Sequence, residues 1–210
     1  FLFRQRNLVS APVVDDDGRL VGAITVDDVV DVIDEEHEED IMRLGGVPED
    51  DLYNAAIDTA RSRFSWLFIN LLTAVTASMV IGMFKATIEQ IVALAILMPI
   101  VASMGGNAGT QTMTVTVRAL AMKELTATNA YRVIGKEFLV GGFNGVLFAV
   151  LTGMVTWAWF GNPTLGMVIA LAMIVNLIVA GLVGTLIPLM LDRSGHDPAI
   201  ASSVILTTIT

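Results

Sequence analysis

Cysteine is absent from the 210 residues, which excludes disulfides and thiolate metal sites and leaves the redox compartment open. Charge is scarce: Asp, Glu, Lys and Arg together make 16% of the chain, against roughly a quarter in soluble domains. Hydrophobic residues make up 54% and the mean hydropathy is +0.71. The excess lies in long uncharged runs, which excludes an ordinary soluble domain and marks membrane spans. The Walker loop, G-x-S-x-G and H-E-x-x-H are also missing, so nothing supports soluble enzyme chemistry. Phe1–Ala11 lacks the apolar core and cleavage site of a signal peptide. No Met opens the chain and it stops inside an apolar run, so both ends are expected to be cut.

What charge there is divides the molecule. Residues 1–60 hold 16 acidic and 4 basic side chains, whereas residues 61–210 hold 5 and 8. An acidic head of this kind excludes nucleic acid as a partner, since phosphates need Lys and Arg, and is compatible with cations. Within it, Pro12–Val14 and Leu20–Thr25 read as strands joined at Asp17-Gly18, where glycine supplies the positive φ of a tight turn. Thr25 is placed to cap a helix from Val26, with Asp27 and Asp28 in its first turn. Asp31, Asp34, Glu35, Glu36, Glu38, Glu39 and Asp40 then crowd about three helical turns until Gly45-Gly46 and Pro48 break the pattern. A further helix is expected over 50–63. The acidic segment is either a solvated helix or a weak divalent-cation site; it lacks the EF-hand ligand pattern, and His37 among the acids reads as solvated.

The second part predicts four complete spans, at about 64–84, 90–117, 138–160 and 164–191, and the start of a fifth at 198–210. The first uncharged stretch, 21 residues, covers ~31 Å as a helix, enough for the hydrocarbon core. Gly161-Asn162-Pro163 is the natural turn between the third and fourth. Arg61, Arg63, Arg118, Lys123, Arg132, Lys136 and Arg193 fall on one side and Lys85 on the other, which puts the acidic head in the cytoplasm and the 161–163 turn outside. No carboxylate lies within a complete span so bounded, which argues against a proton relay.

Residues 99–121, PIVASMGGNAGTQTMTVTVRALA, are too polar for a helix that only meets lipid. Gly105 and Gly109 form a small-xxx-small pair suited to close helix packing; they also permit unwinding, which would expose carbonyls to a cavity. Asn107 and Gln111 are costly in lipid and must face a partner or water, and Ser103, Thr110, Thr112, Thr114 and Thr116 add hydroxyls around them. They offer the oxygen ligands that hard cations such as Mg²⁺ take. Gly141 and Gly145, with Asn144 between them, read mainly as packing, and Asn176, Gly181, Gly184 and Pro188 as packing and a kink.

PVVDDDGRLVGAIT within residues 8–33 resembles the second half of a CBS repeat. GGNAGTQ at 105–111 followed by RALA at 118–121 resembles the signature of the MgtE family of magnesium transporters and channels, and DPAIASS at 197–203 leading to TTIT at 207–210 resembles that family's last span. The pieces also come in the family's order. The resemblance implies a mainly α fold: a polytopic helical membrane domain at 64–210, preceded by a partial α/β CBS segment at 1–40 and a cytoplasmic connecting (plug) helix at 41–63. It implies a homodimer of five-span chains in the inner membrane, with a pore for Mg²⁺ along the dimer axis, closed by cytoplasmic Mg²⁺. Asn107, Ser203 and Thr207 match pore positions. Glu36, Glu39, Asp40 and Asp197 match positions that hold regulatory Mg²⁺, and Asp31 is a similar candidate at the CBS face. The family's key carboxylate, an Asp directly after the position of Thr210, its amino-terminal domain and its first CBS repeat fall outside the sequence. Transport of Mn²⁺, Co²⁺ or Ca²⁺, and a non-transporting CBS sensor anchored by its spans, are the rival readings; an enzyme embedded in the membrane ranks below both.

Overall fold

A computed structural model describes residues 2–45, 47, 55–126 and 128–210; of Arg4, Glu36, His37, Asp40, Leu44 and residues 199–203 it describes the backbone alone. The chain forms two units, residues 1–53 and 54–210.

In the first unit a short helix α1 (Leu2–Arg6) precedes an antiparallel hairpin, β1 (Ser10–Val14) and β2 (Leu20–Thr25). The turn is built as its residues dictate. The Asp15 carboxylate accepts from the backbone N–H groups of Asp17 and Arg19 at 3.1 and 2.8 Å, and Gly18 takes φ +76°. A bulge between Val13 and Val14 lets the five-residue connection close. Thr25 ends β2 and begins α2 (Val26–Leu44). The Asp28 carboxylate accepts from the Thr25 hydroxyl at 2.6 Å and from its backbone N–H at 2.8 Å. These bonds, the hydroxyl's first, hold the Asp28 carboxyl below its ordinary pKa. The helix runs through residue 40 without a break and stops at Gly45, whose N–H returns to the Met42 carbonyl at 3.0 Å.

Among the described residues the second unit has six helices: α3 (Ala56–Gly82), α4 (Lys85–Gln90), α5 (Val92–Ala121), α6 (Ala130–Phe160), α7 (Pro163–Arg193) and α8 (Pro198–Ile209). Four of them, α3, α5, α6 and α7, are long and apolar enough to cross a membrane, and the chain is a multi-pass membrane protein. The helix expected over 50–63 and the first span are one element: α3 passes from Ala56 across residues 63 and 64 unbroken, and residues 48–54 lie outside the described ones. A change of charge at Arg63 carries no backbone signal, so the helix has no reason to stop there. The turn after α6 follows its sequence closely. Gly161 takes the left-handed conformation at φ +65°, Asn162 accepts from Thr164 and Leu165 N–H at 3.0 and 3.2 Å, and Pro163 opens α7.

Helix α7 is the centre of this unit and packs against α5, α6 and α8. Its Met173 and Leu177 are buried with Ala149 of α6, and Val101, Met104 and Ala108 of α5 close over them. The α6–α7 contact is close because Gly141 and Gly145 lie on one face of α6: a Cβ on Gly141 would stand 2.7 Å from the Leu177 carbonyl oxygen, and one on Gly145 3.1 Å from the Ile174 Cα. In contrast, α3 has no buried residue and, within the unit, touches mainly α8.

Candidate functional site

Helix α5 stays helical through Gly105–Gly109, so the carbonyls there are not opened to a cavity by unwinding. The glycines serve contact instead. At Gly105 a Cβ would overlap the Asn176 side chain, which crosses that gap to donate from Nδ2 to the Val101 carbonyl at 2.6 Å. At Gly109 it would overlap the Leu206 methyls of α8. A backbone hydrogen-bond ladder outweighs the freedom glycine offers once flanking helices pack this tightly.

With one face of α5 occupied this way, its polar residues divide. Ser103, Asn107, Thr110 and Thr114, at spacings of four, three and four, form an exposed stripe, with Gln111 beside it. Thr110 and Thr114 donate their hydroxyl protons back to the carbonyls of Gly106 and Thr110, both at 2.8 Å. Their oxygens therefore keep acceptor lone pairs for a ligand outside the helix. The stripe presents neutral oxygens of the kind that can replace or hold part of the water shell of a hard cation. On α8, Thr207 is exposed and donates to the Val204 carbonyl at 3.0 Å; it follows Leu206, the residue seated against Gly109. The Ser203 side chain lies outside the described residues.

The residues matched to regulatory sites fall in both units. Asp31 and Glu39 lie on α2, the first exposed and the second in an ion pair with Arg43 one turn later. The side chains of Glu36 and Asp40 lie outside the described residues. Asp197, half-buried, stands directly before the first residue of α8. Among the described residues no three of His, Asp and Glu gather closely enough to hold a metal by themselves.

One carboxylate escaped the sequence reading. Glu137 precedes the uncharged run by one residue, yet α6 begins at Ala130 and carries it into the bundle, where its side chain is 12% exposed. Its Oε2 accepts from the Thr112 hydroxyl of α5 at 3.0 Å. The absence of carboxylates from the spans therefore holds for the uncharged runs and not for the helix bundle. The signal was the spacing: Glu137, Gly141 and Gly145 recur every four residues, on the face that packs.

Comparison with known proteins gives matches in both parts of the chain. The family model MgtE, described as a divalent cation transporter, matches residues 98–210, from the first turns of α5 to the last residue. A CBS domain model matches residues 1–35. The chain is 40% identical over 202 residues to the magnesium transporter MgtE of Thermus thermophilus, covering 94% of this chain and 44% of that protein. It is 35% identical over 209 residues to the protein of the same name from Bacillus subtilis, covering 99% of this chain and 46% of the relative. The relative from Enterococcus faecalis matches at 35% over 206 residues, again 46% of its length. The chain thus spans a little under half the length of the curated relatives it matches.

Proposed function

Because the chain belongs to the MgtE family of divalent cation transporters, we propose that it forms the membrane pathway for Mg²⁺ in a homodimer, with the exposed stripe of α5 lining that pathway. The observation that carries this reading is the stripe itself. Ser103, Asn107, Thr110 and Thr114 are exposed on a helix apolar enough to span a bilayer. The Asn107 amide turned to lipid would lose its water without compensation, and the acceptor lone pairs of Thr110 and Thr114 would go unused. A water-filled path between two copies gives them water and ions as partners, and the second copy covers the surface that one chain leaves open. Mg²⁺ surrenders its water reluctantly, so a path of neutral oxygens suits an ion moving with most of its shell. The names of the relatives, magnesium transporters, support Mg²⁺ over Mn²⁺, Co²⁺ or Ca²⁺ as cargo.

The chain's acidic head lies in the cytoplasm in this reading, with the basic residues Arg61, Arg63, Arg118, Lys123, Arg132, Lys136 and Arg193 on the same side. When cytoplasmic Mg²⁺ is high, ions bind at Asp31, Glu36, Glu39 and Asp40 of the acidic head and at Asp197, and favour the closed state. When it falls, mutual repulsion of these carboxylates removes that preference.

The test is Mg²⁺ uptake into proteoliposomes carrying the full gene product that contains this chain. The unaltered protein should support uptake and Asn107→Ala should lose most of it. A version with Glu36, Glu39, Asp40 and Asp197 all changed to Ala should keep conducting at high internal Mg²⁺, where the unaltered protein slows. Folded protein that gives no uptake above empty liposomes would instead favour a membrane-anchored sensor, and slowing that persists in the quadruple variant would rule out the feedback.

A further inference from the structure

A small polar cavity of about 40 Å³ lies between α5, α6 and α7, lined by Gln111, Thr112, Glu137 and Asn144, with Gly141 and Gly181 among the residues that wall it. We propose that this cavity binds one divalent cation, at a site separate from the α5 stripe, with Glu137 as its charged ligand.

Three observations converge there. First, Glu137 is 12% exposed while its charge is only partly matched: the Thr112 hydroxyl donates to Oε2 at 3.0 Å, and Lys136 Nζ stands 3.8 Å from Oε1 on a side chain that is 70% exposed. A carboxylate taken from water needs a close counter-charge or several donors, and one hydroxyl with one long ion pair to a solvent-exposed ammonium is little. Second, every polar side chain lining the cavity carries an oxygen able to ligate: the Glu137 carboxylate, the Thr112 hydroxyl, and the amide oxygens of Gln111 and Asn144. Nitrogen and sulfur ligands, which softer metals prefer, are absent from that lining. Third, the volume admits an ion together with retained water, given that a cavity needs roughly 10–15 Å³ of such space to hold one water. Mg²⁺ commonly takes only one or two carboxylates and lets water complete its shell. Glycine sets how closely the walls approach: a Cβ on Gly181 would press at 3.0 Å on the Glu137 carbonyl oxygen and push α6 and α7 apart.

Thr112 ties this cavity to the stripe. It sits one residue after Gln111, which borders both, so an ion on Glu137 fixes α5 in rotation relative to α6. The site does not depend on which ion the stripe passes, and it stands or falls without the transport reading.

The experiment uses Mn²⁺ as the probe, since it takes oxygen ligands and scatters anomalously. Crystals of the full gene product are soaked in Mn²⁺ and the anomalous difference map is inspected at the cavity. The expected result is a peak within coordination distance of the Glu137 carboxylate, with apparent Mn²⁺ affinity at that peak reduced at least about tenfold in Glu137→Gln. Glutamine keeps the size of the side chain and its bond to Thr112, and the unaltered protein gives the decisive map even if the variant fails to fold. A cavity that holds only ordered water or stays without a peak, while Mn²⁺ appears elsewhere in the same crystal, would overturn the proposal. So would a peak of equal strength in Glu137→Gln.

Discussion

Single side chains set the local structure of the head. Asp28 is the clearest case, because its carboxylate closes the junction between β2 and α2 by accepting from both the hydroxyl and the N–H of Thr25. Its pKa is lowered in the folded chain from an ordinary 3.8. A lowered pKa means that the carboxylate's contribution is fully present above the unfolded value and is lost as pH falls through the lower, folded one. Hydrogen exchange over residues 25–30 should therefore be faster in Asp28→Asn than in the unaltered chain at pH 6, and the difference should shrink at about pH 3. An equal difference at both values would show that the cap does not depend on the charge. This junction was legible in the sequence, as was the Asp17-Gly18 turn, because both are decided by residues within three or four positions. The burial of Glu137 was not: Thr112, its partner, lies 25 residues away on another helix. Only the four-residue spacing to Gly141 hinted at it.

Helices in this protein are placed by where small residues let backbones meet. Gly141 and Gly142 are neighbours in α6 with opposite surroundings. A Cβ on Gly141 would lie 2.7 Å from the Leu177 carbonyl oxygen, a backbone atom that cannot move alone, while one on Gly142 meets nothing within 4 Å. Gly141→Ala should lower the thermal midpoint of detergent-solubilised protein, by the equivalent of about 1–3 kcal/mol for an overpacked contact. Gly142→Ala should leave it unchanged or slightly raised, since alanine is the better helix former. Similar midpoints for the two would mean that α6 and α7 do not meet along this ladder. Element boundaries show where pattern alone gives out. The uncharged runs located the four spans, but α3 starts at Ala56 and α6 at Ala130, each eight residues before its run, because hydropathy reports the lipid and hydrogen bonding reports the helix. The short α4, Lys85–Gln90, has too few residues for any periodicity to reveal it.

Within the membrane unit, packing sorts the polar groups of α5 by face. Gly105, Gly109 and Thr116 of α5 are buried in the bundle, whereas Ser103, Asn107, Thr110 and Thr114 are exposed on one side of that same helix. Composition identified the segment as polar; only the packing of α7 and α8 on the glycine face decided which residues remain outside. That sorting is the basis for placing a water-filled ion path along the stripe. The lack of cysteine in these 210 residues makes it directly testable, since an introduced thiol has no other within them. Ser103→Cys, Asn107→Cys, Thr110→Cys and Thr114→Cys would be reconstituted singly in liposomes and exposed to a charged thiol reagent, beside Leu151→Cys on the exposed apolar surface of α6. The account predicts that the four stripe positions are modified, that Mg²⁺ slows their modification, and that position 151 is not labelled. Stripe positions that resist the reagent as fully as position 151 would contradict it.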